Sequence, residues 1–388
     1  MRLLVIGHSY ITAFAQGKYA AMKQINDDIQ IRIVVPHEVP HVFMNYKREL
    51  AQGIKEEELV SLGSWFKSHM IYVLNPFRLA SLLKEFKPDH IHIEEDPHSL
   101  IGVETLLLVR LICSDANISF FIWDNLGRKP RFPLNVLKWA MTKYSLSRSS
   151  MVVCGNKDAE HLLKNNKAYK GATLVLPQVG LNPEEYEKAP PLALQQQLGK
   201  GADEVLVGFL GRLVPEKGII QLLEALSGLP QLSWKFLVIG SGPLKEEIQT
   251  HWKCLLGDRI VFKDAVPHNE VMGYLKCLDI FVLPSYATPF WKEQFGLTLA
   301  QAMMAGVACI GSSSGQIPNV LGSSGIVFKE GNVASLTSAL KILIESSEVR
   351  ALNGKECREF ALQHYTNHAV ASAYRIAFLN LKINRLYV

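Results

Sequence analysis

Val205-Leu206-Val207-Gly208-Phe209-Leu210-Gly211-Arg212-Leu213-Val214-Pro215-Glu216-Lys217-Gly218 decides the fold. Val205–Leu210 is a short apolar run bounded by glycine, which predicts a strand buried on both faces. Ile219–Ser227 follows with helical spacing. Strand, glycine-rich turn and helix in series open a doubly wound sheet. Such a turn presents backbone N–H groups at a helix start, a place that favours anions. Arg212 and Lys217 add two cations there, so a diphosphate is the natural guest. The plainer alternative is a tight turn carrying two solvated cations.

Working outward, short apolar runs alternate with amphipathic stretches. Strands are predicted at Trp234–Ile239, Ile260–Phe262, Ile280–Leu283, Val307–Ile310 and Gly325–Val327 in the second half. In the first half they are predicted at Leu3–Ile6, Ile31–Val35, Ile71–Val73, His90–Ile93, Ser119–Trp123, Met151–Cys154 and Thr173–Leu176. Helical spacing lies between them at Phe77–Phe86 and Val103–Ala116. The rhythm predicts α/β architecture with two doubly wound Rossmann-like domains facing a cleft. Residues 1–180 form the first domain and 204–365 the second. Residues 181–203, with Pro183, Pro190, Pro191 and a run of glutamines, read as a linker. The tail 366–388 reads as a closing helix.

The 388 residues, 48% hydrophobic and 20% charged, exclude disorder, collagen and coiled coil as the main architecture. No apolar run approaches the ~18 residues of a membrane span, and the N-terminal apolar run is too short for a signal-peptide core. The six cysteines form no C-x-x-C pair, which suggests free thiols in a reducing cytosol. The net charge of +5 falls entirely in residues 1–180. Residues 125–157 hold Arg128, Lys129, Arg131, Lys138, Lys143, Arg148 and Lys157 with no acid, beside Phe132, Leu134, Val136, Leu137, Trp139 and Met141. This reads either as a solvated face over core packing or, over 128–148, as a peripheral contact with an anionic membrane.

Other constellations also sit at predicted strand ends. Gly240-Ser241-Gly242 is a second strand-to-helix turn. In Pro284–Gly306, the carboxylate of Glu293 precedes the predicted helix Leu297–Ala305, where it and nearby backbone donors suit a polyhydroxyl ligand. Gly311-Ser312-Ser313-Ser314-Gly315 matches a nucleophile elbow, with His364 and His368 downstream. In the first half, Gly7-His8-Ser9-Tyr10, Ile93-Glu94-Glu95-Asp96-Pro97-His98-Ser99 and Trp123-Asp124-Asn125 end three strands expected to line one cleft.

The second half resembles glycosyltransferase family 4, retaining enzymes of GT-B architecture. The likeness rests on an ordered set: the G-R-L-V-P-E-K-G run 211–218, V-I-G-S-G-P at 238–243, D-I-F-V-L-P-S at 279–285, E-Q-F-G-L-T-L-A-Q-A-M at 293–303 and G-S-S-S-G-Q-I-P at 311–318. The resemblance implies transfer of a sugar from a nucleotide-diphosphate sugar to a glycan or lipid-linked acceptor, with retention, in cell-surface polysaccharide or glycoconjugate biosynthesis. It implies no cofactor beyond that co-substrate and no metal. No nucleic-acid partner is expected, and the thiols and the basic stretch point to a cytoplasmic place or a peripheral one at the inner membrane face. Gly211, Arg212 and Lys217 would hold the diphosphate; Gly240, Ser241, Gly242 and Val266 would lie near the nucleotide. Glu293 with Phe295, Gly296 and Leu297 would meet the sugar. The closing helix would return to the first domain, where His8, Glu95, Asp96, His98 and Trp123 form the acceptor side. Two departures stand out. Gln301 occupies the place of the second glutamate of the family's E-x7-E motif, the ribose ligand. The first domain lacks the family's Gly-Gly and has Trp123-Asp124-Asn125 in place of a histidine, leaving Asp124 and Asn125 to face the reacting carbon. Binding of a nucleotide sugar without turnover, suggested by Gln301, and hydrolysis at Ser313 are the alternatives.

Overall fold

Leu3, Leu4, Val5 and Ile6 are all fully buried. Successive strand side chains face opposite ways, so β1 (Arg2–Ile6) must have cover on both faces. The computed structural model describes residues 1–25, 28–38, 48–68, 71–128, 131–165, 169–188, 199, 201 and 203–386. It divides into two units, Met1–Gly180 with Asn367–Val388, and Leu181–Thr366.

In the first unit β1 is joined by β2 (Gln30–Pro36), β3 (Leu59–Leu62), β4 (Ser64–Ser68), β5 (Ile71–Leu74), β6 (His90–Ile93), β7 (Asn117–Ile122), β8 (Met151–Cys154) and β9 (Ala172–Val175). Seven of them form one parallel sheet in the order β3-β2-β1-β6-β7-β8-β9. The strand expected at Ile71–Val73 is β5, which stands outside that sheet in an antiparallel hairpin with β4. Helix Pro76–Phe86 starts where the Asn75 side chain accepts the Phe77 and Arg78 N–H groups, with proline in its first turn. Helix Leu100–Ile112 begins three residues before its predicted start, because Ser99 caps it by accepting the Gly102 N–H.

Helix Asn367–Leu386 packs on helix Ala13–Ile25. Its Val370, Ala371, Tyr374 and Phe378 share a core with Leu3, Val5, Tyr10 and Tyr19. Burying each large apolar side chain contributes about 1.5–3 kcal/mol as an upper figure. The tail is thus part of the first unit.

The second unit holds β10 (Val205–Leu210), β11 (Trp234–Ile239), β12 (Ile260–Lys263), β13 (Ile280–Leu283), β14 (Ala308–Ser312) and β15 (Ile326–Phe328). All are parallel, in the order β12-β11-β10-β13-β14-β15. Phe209, Leu222, Trp234, Phe236, Leu336 and Leu340 form part of its core, and the Trp234 indole N–H is satisfied by the Leu229 carbonyl at 2.9 Å. The segment read as a linker opens with helix Pro183–Lys188, whose Tyr186 is buried, so its start belongs to the second unit. Residues 189–198, 200 and 202 of that segment lie outside the described residues.

None of the six cysteines is in a disulfide; Cys254 is exposed, while Cys154, Cys277, Cys309 and Cys357 are buried. Among the described residues no helix is long and apolar enough to cross a membrane.

Candidate functional site

Each sheet reverses its strand order once, between β1 and β6 in the first unit and between β10 and β13 in the second. At such a switch point neighbouring helices leave opposite faces of the sheet and open a crevice at the strands' carboxyl ends. Polar side chains gather at both points.

In the second unit the turn after β10 carries Lys217, and the segment after β13 carries Ser285 and Glu293. Lys217 Nζ lies 2.7 Å from Glu293 Oε2. The Ser285 hydroxyl donates to the same oxygen at 3.0 Å. The ammonium also lies 4.8 Å from the Trp291 ring centroid. Ser312 in turn donates its hydroxyl to the Ser285 carbonyl. Gln316 N–H donates to the Glu293 carbonyl at 3.2 Å. Gly315 makes this approach possible: its φ is +53°, and a Cβ there would stand 2.2 Å from the Glu293 carbonyl oxygen. Glu293 is 7% exposed, and its carboxylate takes donors from two parts of the chain, Lys217 and Ser285.

Arg212 is exposed on the same turn as Lys217 and makes no ion pair among the described residues. The turns at 211–213 and 240–244 interlock. Leu213 N–H donates to the Ser241 carbonyl at 2.9 Å, and Leu244 N–H to the Leu213 carbonyl at 3.1 Å. Any side chain at Gly240 would put its Cβ 1.9 Å from the Gly211 carbonyl oxygen. Val266 is half-buried just beyond β12. Gly296, at φ +84°, caps helix Leu297–Met304, and Phe295 meets the Tyr365 ring edge-on at 5.7 Å. Gln301 is 2% exposed, and its side chain hydrogen-bonds to the Tyr186 hydroxyl.

In the first unit, Glu95 Oε1 takes the His8 backbone N–H at 2.8 Å, the His8 Nδ1 at 2.5 Å and the Tyr72 hydroxyl at 2.7 Å. Burial works against the imidazolium, but the bond to Glu95 and the charges of Glu95 and Asp96 outweigh it and raise the His8 pKa. Asp96 is pushed up to about 6, first by burial and then by the carboxylates of Asp124 and Glu95. His98 is lowered to about 4 by burial and by Lys138. Asp124 Oδ1 accepts the Leu126 and Gly127 N–H groups, both at 3.1 Å, and so shapes its own turn. Asn125 beside it is buried. Trp123, expected to end β7, lies just past it and donates its indole N–H to Gln178 at 3.1 Å.

Sequence reasoning gave no role to Ser285 and Trp291, which reach the predicted groups from the segment after β13, and missed Tyr72, which reaches Glu95 from β5. It also missed a fully buried ion pair: Lys18 Nζ lies 2.6 Å from Glu94 Oε1, an oxygen that also takes the Tyr19 hydroxyl at 2.6 Å. The Ser313 hydroxyl accepts the Glu330 N–H at 3.0 Å. Among the described residues no histidine is bonded to it, so the geometry assembles no hydrolytic triad there. Nor do three or more metal-ligating side chains converge among the described residues.

Residues 192–360 match the sequence model of the family described as glycosyl transferases group 1. The second unit belongs to the group 1 glycosyl transferases. The Lys217–Glu293–Ser285 cluster lies wholly within this glycosyl transferase segment. The chain is 26% identical over 298 residues to the sulfoquinovosyl transferase of Arabidopsis thaliana, covering 73% of this chain and 55% of that protein. It therefore spans little more than half the length of that relative. It is 25% identical over 313 residues to the 2-deoxystreptamine N-acetyl-D-glucosaminyltransferase of Streptomyces fradiae, covering 74% of this chain and 72% of that one. Anabaena HepE, solved in complex with UDP, superposes with a TM-score of 0.71 at 16% identity, over 98% of this chain and all of that one. That likeness shows the fold, two doubly wound α/β sheets of GT-B glycosyltransferase architecture.

Proposed function

We propose that this chain is a glycosyltransferase that moves a sugar from a nucleotide-diphosphate sugar to a glycan or lipid-linked acceptor, with retention, in cell-surface polysaccharide or glycoconjugate biosynthesis. The observation that carries the reading is the Lys217–Glu293 pair at the second sheet's switch point, 2.7 Å across. Lys217 and Arg212 stand on a strand-to-helix turn, where cations and backbone donors can take the negative charge that grows on a departing diphosphate. Lys217 is already ordered by Glu293 and the Trp291 ring, which lowers the cost of positioning it. The Glu293 carboxylate, fixed by Ser285 and Lys217, is suited to accept hydroxyls of the donor sugar. Because the two cations supply the stabilisation, turnover should persist in a metal chelator. The first unit supplies acceptor recognition through His8, Glu95, Asp96, His98 and Trp123, with Asp124 and Asn125 toward the reacting carbon. No side chain there is assigned as a nucleophile; attack on the same face as the leaving phosphate accounts for retention.

Binding without turnover is a second reading, favoured by Gln301, whose side chain is committed to Tyr186. Donor hydrolysis across UDP- and GDP-sugars separates the two. Release of nucleoside diphosphate, with the product anomer read by NMR, supports transfer. Thermal stabilisation by a nucleotide sugar without any release supports binding alone. A donor at ~100 times its dissociation constant stabilises by about 2.7 kcal/mol.

A further inference from the structure

Two thiols meet inside the second unit, and the glycosyl-transfer reading gives them no role. Cys309 lies on β14 and Cys357 on helix Ser347–His364, and both are fully buried. Their side chains hydrogen-bond to one another. Asn353 holds them together. Its Oδ1 accepts the Cys309 backbone N–H at 3.0 Å and lies 3.7 Å from Cys357 Sγ, one turn further along the helix. Its Nδ2 donates to the Ser324 carbonyl at 2.8 Å. Gly354 lets the helix come this close, because a Cβ there would stand 2.4 Å from the Gly306 carbonyl oxygen.

A buried cysteine alone is a small apolar filler. Two in contact can also join, at the cost of two electrons and two protons. Burial, and then the bond to Cys357, pushes the Cys309 thiol up, while the hydrogen bond from Cys309 lowers that of Cys357. Cys357 is therefore the sulfur that ionises first, and the thiolate is the form that attacks an oxidant. The strand leads to the donor cluster. β14 ends at Ser312, whose hydroxyl donates to the Ser285 carbonyl, and the Ser285 hydroxyl donates to Glu293. Arg358, next to Cys357, donates to the Met304 carbonyl at 2.8 Å, at the end of helix Leu297–Met304. A bond between β14 and helix Ser347–His364 would thus act on the strand that supports Glu293.

We infer that Cys309 and Cys357 are a redox couple, which a peroxide closes into a disulfide fixing β14 to helix Ser347–His364 and a thiol reductant reopens. The Cys357 thiolate attacks one peroxide oxygen. The O–O bond breaks, a sulfenic acid forms, and the departing hydroxide takes up the proton that the thiol gave, leaving as water. The Cys309 sulfur then attacks the sulfenic sulfur. The S–S bond forms, the S–O bond breaks, and the hydroxyl leaves with the Cys309 proton as a second water. Two thiols lose two electrons and one peroxide gains them. A small uncharged oxidant suits a pair sealed from solvent.

Peptide mapping of the full chain tests this. Cys254, which is exposed, is alkylated first in the folded protein. Hydrogen peroxide is added, the remaining thiols are alkylated in denaturant, and the digest is read by mass spectrometry. A joined Cys309–Cys357 peptide pair is expected, lighter than the two reduced peptides by two hydrogens and split by dithiothreitol. Amide exchange across 308–312 should slow about tenfold or more on oxidation, since strand and helix can no longer part. Cys309→Ala and Cys357→Ala should each lose both effects, and an unchanged Tm before oxidation verifies that the variants fold. Four results overturn the inference: both sulfurs alkylated after peroxide, either one joined to another cysteine, either one carried on to sulfinic acid, or exchange that the cross-link leaves unchanged. Donor hydrolysis by the reduced chain reports separately on the transferase reading.

Discussion

Lys217 Nζ and Glu293 Oε2 stand 2.7 Å apart although 76 residues separate them in the chain. The pair ties the turn after β10 to the segment after β13. One cation thus serves a carboxylate in the free protein, and on the proposed reading the same cation would serve a diphosphate when donor binds.

Lys217→Ala should lower turnover by roughly 10²–10³-fold, the range for losing one preorganised electrostatic group. It should also lower Tm, because the largely buried Glu293 loses its cation. Arg212→Ala should cost similar turnover with Tm unchanged, since its side chain is exposed. Initial rates and melting curves on both variants check this. Wild-type rates in either would remove the diphosphate assignment.

Tyr186→Phe deletes the hydroxyl partner of Gln301 and should cost about 0.5–1.5 kcal/mol of stability. Gln301→Glu, which restores the E-x7-E pattern, should change nucleotide affinity by about 1–2 kcal/mol if the side chain reaches ribose. Titration calorimetry with nucleoside diphosphates reads the second effect. Unchanged affinity would leave Gln301 a purely internal partner of Tyr186.

Asp96 should make stability fall as pH rises. Its pKa is about 6 in the fold against an ordinary 3.8, so between those values the folded chain holds more protons than the unfolded one. The favourable contribution is complete below the lower value and lost above the upper. Asp96→Asn should therefore match the wild type near pH 4 and exceed it in Tm at pH 7. A Tm difference that does not change with pH would mean that Asp96 ionises as an ordinary carboxyl.

Lys18→Met should destabilise by about 3–5 kcal/mol, the cost of stranding a buried charge, here Glu94. Adding Glu94→Gln should recover much of the loss. Denaturant unfolding of the single and double variants closes the cycle, and strict additivity would argue against direct coupling.

Much of this was legible in the sequence because the central strands are continuous apolar runs. Leu3–Ile6 and Val205–Leu210 sit in mid-sheet and need no polar face. The edge was harder to read. Leu59–Leu62 contains serine and β4 begins and ends in serine, so neither stands out, and β5 reads like a sheet strand although it pairs only in the hairpin. At the site, Glu293 and Lys217 were visible because each is a charge near a glycine at a strand-to-helix junction and falls within one of the ordered motifs of the glycosyltransferase resemblance. Ser285 and Trp291 carry no such signature. Lys18 carries no signature in the sequence; only the topology shows that helix Ala13–Ile25 brings it to Glu94 at the end of β6.

The place of helix Asn367–Leu386 has a consequence for the order in which the protein is made. Synthesis runs from the N-terminal to the C-terminal end, so the face formed by Leu3, Val5 and Tyr19 receives Tyr374 and Phe378 only after the whole second unit has been synthesised. Until then Lys18 lacks the Tyr374 ring that lies 4.0 Å from its ammonium, and His90 lacks the Phe378 ring 4.3 Å away. The unit begun first is finished last. A nascent chain paused between the two units would therefore expose a hydrophobic face with a buried-type lysine at its centre, the kind of surface that chaperones hold.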